Sequence, residues 1–463
     1  MADAVQALAV LAVVLAVAWP ARRAATLARQ PAVIGEITLG LVAVPALTAA
    51  AGPGLVGTLL PSGVTGHLHT VGLAGLALYL TGVGHGARPR RGEVSPRSYG
   101  RLLAGSLLPG LVAGVLLAVW VVRRGVPGER GTAPTTALVL LLAAAFAVTA
   151  VPVLARILTD RSLTDTTEGR LSVLVAVSID ALTWLVLTAA LAVAAGGGGR
   201  LVRALAVIAG GAVAAVLLRH LLRRESVGRL SARWPTAAAA VLGAVAIAAA
   251  LATERAGLTA IFGAVLVGLA VPRDGEPGTR DGGRGPRDRA VRSVERCGLL
   301  LVPVFFVTTG LQVSVDGPDG FSWTTFGLVL LLATAAKVGG GYAGARAARL
   351  PARTALRFGV LMNTRGLTEI AVLQAGLSAG ILSPGLFLAL VLMALVTTAA
   401  TGPLLSVTDR GRLTAGARPR VAATAPARTA TWAPLRPAAR PPAHPAAGPP
   451  SRPASEELSH DED

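Results

Sequence analysis

Thirteen apolar stretches, most of them close to 20 residues long, constrain this chain more than any other feature. They cover about 4–20, 31–50, 68–86, 102–122, 135–158, 171–195, 201–219, 233–252, 256–272, 297–314, 323–345, 355–378 and 383–406. A helix of such length crosses the roughly 30 Å hydrocarbon core of a bilayer with every backbone hydrogen bond satisfied internally. The expected fold class is therefore an all-α polytopic membrane protein of about 13 transmembrane helices, with the lipid bilayer as its solvent. Composition agrees: 53% of residues are hydrophobic and the mean hydropathy is +0.64.

The formal net charge is +19. In a soluble chain that would point to nucleic acid. Here the arginines gather between apolar stretches, so the charge reads as topology and no nucleic-acid partner is expected. Alternate loops carry the arginine, as cytoplasmic loops do. This predicts a plasma-membrane protein with its N-terminus outside and its C-terminus in the cytoplasm. The loop holding Arg123, Arg124 and Arg130 is the exception. The first stretch follows Asp3 with no basic residue before it, so it reads as a retained span and not as a signal peptide. The single cysteine, Cys297, excludes a disulfide framework.

Two segments differ from the rest. The longest loop, near 273–296, is rich in Arg, Asp, Gly and Pro and joins two halves of a membrane domain spanning 1–406. Residues 407–463 are rich in Pro, Ala and Arg and end in EELSHDED. They are expected to form a disordered cytoplasmic tail. The tail has no glycine-rich nucleotide fingerprint, and no cofactor is expected.

Five ionisable residues lie inside the stretches: Glu36, Asp180, Lys337, Arg365 and Glu369. Charges there are expensive and mark ion pathways or buried pairs. Lys337 is the one lysine in the chain. Unlike arginine, a buried lysine can lose its proton. Asp180, central in LSVLVAVSIDALTWLVLTAALAV, is the natural oxygen ligand for a small cation or a proton. Ser178 or Thr183 could hydrogen-bond it. Arg365 and Glu369 stand i, i+4 and can pair along one helix face. Glu36 lies five residues into its stretch, beside Pro31 and Gly35.

Two stretches look broken. FAVTAVPVLARIL holds Pro152, which lacks a backbone donor, and Thr149, which offers a local replacement. LMNTRGLTEI holds Asn363, Thr364 and Gly366 in an otherwise apolar helix. Broken helices in corresponding positions of two halves point to a transporter binding site near the midplane.

These motifs, together with QPAVIGEITLGLV, LVPVFFVTTGLQV, AAKVGG and ALVTTAATGPLL, resemble the monovalent cation:proton antiporters, specifically the second of the two large families of that kind. The resemblance runs from about residue 5 to 406. It implies an inverted-repeat antiporter fold with a core domain and a dimerising scaffold domain, hence a homodimer, working by elevator-type alternating access. SIDALTW resembles the family's paired-acid motif, but Ile179 stands in the first acid position and Asp180 in the second. Lys337 matches the basic residue that pairs with that first acid in electrogenic members. One-for-one exchange is therefore expected. GLVAVPA lacks the family's usual Gly-Pro, and His85 stands near the acid expected after TGVG.

The expected function is proton-coupled antiport of Na⁺ or K⁺ by a protein that is not an enzyme. Asp180, Thr149 and Ser178 would bind the ion, with the carbonyls freed around Pro152. Lys337 would counterbalance Asp180. Glu36, Pro152, Asn363, Arg365 and Glu369 would shape or couple the site. The alternative is a sodium-coupled symporter of an organic anion, which would need a larger cavity and a second sodium site. No HExxH is present, and the six histidines lie in loops, span ends or the tail.

Overall fold

Backbone donors and acceptors inside apolar segments can be satisfied only within the segment, and helices follow. The computed structural model describes residues 2–28, 30–87, 94–125, 130–195, 199–224, 231–256, 259–272, 285–311 and 321–410, and among these there is no strand. The first helices are α1 (Ala2–Leu27), α2 (Ala32–Ala51), α3 (Pro53–Leu59), α4 (Ser62–Ala87) and α5 (Pro96–Arg124). A broken pair follows, α6 (Thr135–Ala147) and α7 (Val151–Asp160). Next come α8 (Thr167–Ala195), α9 (Gly199–Leu222), α10 (Pro235–Arg255), α11 (Ala260–Ala270) and α12 (Pro286–Leu311). Helix α13 (Trp323–Thr334) passes through a π-turn (Ala335–Gly339) into α14 (Gly340–Ala347). A second broken pair, α15 (Ala352–Met362) and α16 (Leu367–Ser378), precedes α17 (Pro384–Arg410).

Every predicted stretch is helical over most of its length. Among the described residues, nine helical stretches are long and apolar enough to cross a membrane. Thirteen separate crossings do not follow from length and apolarity alone: α4 and α9 fall outside the nine, α11 has only 11 residues, and α15 and α16 have 11 and 12. Three other boundaries are corrected. The loop expected over 273–296 is helical from Pro286, because Ala290, Val291 and Val294 bury one face of α12 while Arg289, Arg292 and Arg296 stay exposed. The short helix α3 falls where a loop was expected. The last helix runs to Arg410, four residues past the expected edge of the membrane domain, and the tail beyond it lies outside the described residues.

The helices pack as two sets. In one, α4 and α12 form the central contact, with α1, α2, α10 and α11 around them and α9 against α11. In the other, α5, α6 and α8 pack together with α14 to α17. This second set holds both broken pairs, each between two continuous neighbours in the chain. The sets meet where α8 touches α4, α9 and α11, and where α7 touches α2 and α4.

Candidate functional site: two crossed helix breaks and a buried carboxylate

The first break sits at Val148–Ala150, where Val148 and Ala150 are extended. Pro152 opens the first turn of α7, a position whose backbone donor is unpaired in any helix. It therefore starts the second half-helix and does not kink a continuous one. The second break runs from Asn363 to Gly366. The breaks touch. Ala150 N donates to Thr364 O at 3.1 Å, and Thr149 Oγ1 donates to Met362 O at 3.0 Å. Gly366 permits this approach: a Cβ there would lie 2.6 Å from Val153 Cγ2.

A helix end leaves carbonyls without partners. At the end of α6, two buried basic side chains supply donors. Arg365 donates from Nη1 to Ala145 O at 2.8 Å and from Nη2 to Phe146 O at 3.1 Å. Lys337 Nζ donates to Ala147 O at 2.5 Å and to Ser106 O at 3.4 Å. The negative end of the α6 dipole favours both. Lys337, with no exposed surface, occupies the π-turn, a local widening of the helix frequent at functional positions. Gly340 lets this helix close on α5: a Cβ there would lie 2.5 Å from Gly105 O.

Arg365 also pairs with Glu369, Nη1 to Oε1 at 2.5 Å, with both side chains fully buried. Its backbone N–H donates to Thr398 Oγ1 at 2.9 Å, while that hydroxyl donates to Arg365 O at 2.7 Å. Some polar atoms at the crossing stay open. The side-chain N and O of fully buried Asn363, Glu369 Oε2 and Ser106 Oγ have no hydrogen-bond partner.

Asp180 is buried on α8 with different company. Its Oδ2 accepts a 2.9 Å hydrogen bond from Thr259 Oγ1, and its Oδ1 has no partner. Trp184 Nε1, one turn further along α8, is also buried without a partner. No ion pair joins Asp180 to Lys337 among the described residues; Lys337 Nζ instead donates to the carbonyls of Ala147 and Ser106. Ser178 is corrected as well. Its hydroxyl lies 2.6 Å from Tyr99 OH and donates to Leu174 O at 3.2 Å. Residues two apart on a helix point to nearly opposite sides, which separates Ser178 from the Asp180 carboxylate. Thr183 donates to Ile179 O and to the backbone carbonyl of Asp180, not to its side chain. Thr149 donates its proton to Met362 O, and the carbonyls of Ala145, Phe146 and Ala147 accept from Arg365 and Lys337. Among the described residues no hydrogen bond joins Thr149 to the Asp180 carboxylate.

Glu36 is fully buried beside Arg22, Nε to Oε1 at 3.2 Å. Arg156 and Asp160 on α7 lie near the same carboxylate and pair with each other at 3.4 Å. His85 Nε2 meets Asp288 Oδ1 at 2.9 Å. The participant that sequence reasoning missed is Thr259. Its one signal was a threonine preceding an apolar run, the mark of a helix N-cap.

The family model for the sodium/hydrogen exchanger transmembrane region matches residues 10–408. Cation/H⁺ antiporter 20 of Arabidopsis thaliana is 32% identical over 398 residues, covering 81% of this chain and 45% of that protein. The Na⁺/H⁺ antiporter NhaS4 of Synechocystis sp. is 29% identical over 399 residues, covering 81% and 90%. K⁺/H⁺ antiporter 1 of Saccharomyces cerevisiae is 28% identical over 402 residues, covering 81% and 43%. The chain thus spans less than half of two of these relatives and most of the third. Among solved structures, the sodium proton antiporter MjNhaP1 of Methanocaldococcus jannaschii matches with a TM-score of 0.57 at 16% identity, covering 89% of this chain and 99% of that one. That likeness shows a shared fold.

Proposed function

This chain belongs to the sodium/hydrogen exchanger transmembrane family, a family of multi-pass membrane transporters, and we propose that it exchanges a monovalent cation, Na⁺ or K⁺, for a proton. The observation that carries the proposal is Asp180: a carboxylate buried in a membrane helix, with one oxygen held by Thr259 and the other open. A cation and a proton are the two species that can neutralise it, and they compete. Alternating access follows, since a bare carboxylate is costly to carry through an apolar barrier while either loaded form is neutral.

Relatives named as sodium and as potassium antiporters support the class of ion and leave either cation as substrate. The arginine-rich loops support a plasma-membrane protein with its N-terminus outside and its C-terminus, with the tail beyond 410, in the cytoplasm. The fold shared with a sodium proton antiporter favours antiport over organic-anion symport. A homodimer, joined through the helix set that lacks the breaks, and elevator movement of the set that holds them complete the proposal.

The test is fluorescence dequenching in everted vesicles with Na⁺, K⁺ and Li⁺ in turn. Asp180→Asn should abolish cation-driven proton release while the purified protein keeps its wild-type elution profile. Wild-type rates in that variant would refute the assignment.

A further inference from the structure

The Asp180 carboxylate is bonded across the boundary between the two helix sets. Asp180 lies on α8, which packs with α5, α6 and α15. Thr259 is the N-cap of α11, which packs with α4, α9 and α10. The hydroxyl is fixed from both sides. Its oxygen accepts from Phe262 N at 3.4 Å, which turns its hydrogen toward Asp180 Oδ2. The backbone carbonyl of Thr259 accepts from Thr253 Oγ1 at 3.0 Å, which ties the cap to α10. Close packing of α10 and α11 at Gly263, whose added Cβ would lie 2.8 Å from Thr253 Oγ1, holds the corner. Thr259 thus belongs rigidly to the set without the broken helices, while its acceptor belongs to the set with them.

We propose that Thr259 is a positioning residue that fastens the unoccupied Asp180 carboxylate to the opposite helix set, so that the sets move past one another only when Asp180 is occupied. A hydrogen bond donated to an ionised carboxylate is about twice as strong as one between neutral groups. It is therefore strongest when Asp180 is bare. A cation bound through the open Oδ1 draws electron density from the carboxylate and weakens the bond to Oδ2. The consequence is tight coupling: the empty carrier is retained, and cation movement without a counter-moving proton is suppressed. This inference rests on Asp180 being the transport carboxylate.

The experiment uses the purified full chain in proteoliposomes loaded with ²²Na⁺ and diluted into medium free of Na⁺ and K⁺, with permeant thiocyanate on both sides to dissipate the membrane potential. It measures tracer loss and proton uptake together, normalised to the amount of protein. Thr259→Val removes the hydroxyl, and Thr259→Ser keeps it. Thr259→Gly also removes it, yet glycine caps a helix about as well as threonine. We expect the uncoupled share of sodium loss to rise about tenfold in the Val and Gly variants, the equilibrium factor of one hydrogen bond to a charged group. The Ser variant should couple as the wild type does. A purely structural cap would change the amount of folded protein but not the ratio of protons to sodium. The proposal is overturned if Val and Gly couple as tightly as wild type, if Ser leaks as they do, or if neither Val nor Gly folds while Ser does. Asp180→Asn in the same vesicles separates the two readings. If that variant still exchanges, the carboxylate assignment fails; if it is inactive and Thr259 variants stay coupled, only the fastening role fails.

Discussion

Arg365→Met should destabilise the protein more than most single changes, and the structure indicates by how much. The guanidinium neutralises Glu369 at 2.5 Å and supplies donors to Ala145 O and Phe146 O. It also lies 5.7 Å from the centre of the Phe146 ring. Removing it leaves a fully buried carboxylate unpaired, which typically costs about 3–5 kcal/mol. At roughly 2 °C per kcal/mol for a chain of this size, the melting midpoint in detergent should fall by about 6–10 °C. Tryptophan fluorescence during a thermal ramp reads this directly. The double variant Arg365→Met with Glu369→Leu removes the stranded charge as well. It should recover part of the loss, leaving about 1–3 kcal/mol for the two α6 carbonyls without donors. Two results would refute the reasoning. One is a single variant that melts within about 2 °C of wild type, under 1 kcal/mol on the same conversion. The other is a double variant no more stable than the single one, which would mean that the loss does not come from the orphaned Glu369.

Neighbouring glycines in the π-turn region should respond differently. Gly340→Ala drives a Cβ against Gly105 O and Pro109 and should cost about 1–3 kcal/mol, whereas Gly339→Ala meets open space and should change the melting midpoint little. Exchange should also be indifferent to voltage: with Na⁺ as the transported ion, a clamped potential should leave the rate unchanged. A reproducible acceleration would mean that a second group carries charge.

The breaks were legible because their residues announce them. Pro152 cannot donate to a helix, and Asn363-Thr364-Arg365-Gly366 is a polar interruption with a glycine. Both forms of evidence are local. What the breaks do to each other is not local. The donors for the α6 carbonyls come from Lys337 and Arg365, about 190 to 220 residues away in sequence, and no period or propensity encodes that distance. Lys337 was legible as an anomaly, but its partner was not, because an ammonium is satisfied by carbonyls as readily as by a carboxylate and carbonyls occur at every position. Ser178 shows a different limit. Its closeness in sequence to Asp180 suggested contact, whereas the 200° between alternate helix positions sends it toward Tyr99. Glu36 was read as lone because Arg22 belonged to a loop; the turn between α1 and α2 folds it back.

The arrangement of charges bears on stoichiometry. Lys337 and Arg365 close the end of α6 by donating to its carbonyls, and Arg365 also pairs with Glu369. Neither is ion-paired with Asp180 among the described residues. The charge that alternates is then confined to one carboxylate, which is neutral with a cation and neutral with a proton. In the proposed exchange each crossing of a loaded carrier then moves the same net charge, so one cation for one proton is the expected ratio. Ile179, in the position where a second acid would stand, is fully buried and cannot titrate. The one-for-one ratio that sequence suggested through a missing partner for Lys337 is thus expected on a different physical basis. Lys337 Nζ is hydrogen-bonded at the end of a half-helix, and the proposed exchange of ligands takes place at Asp180.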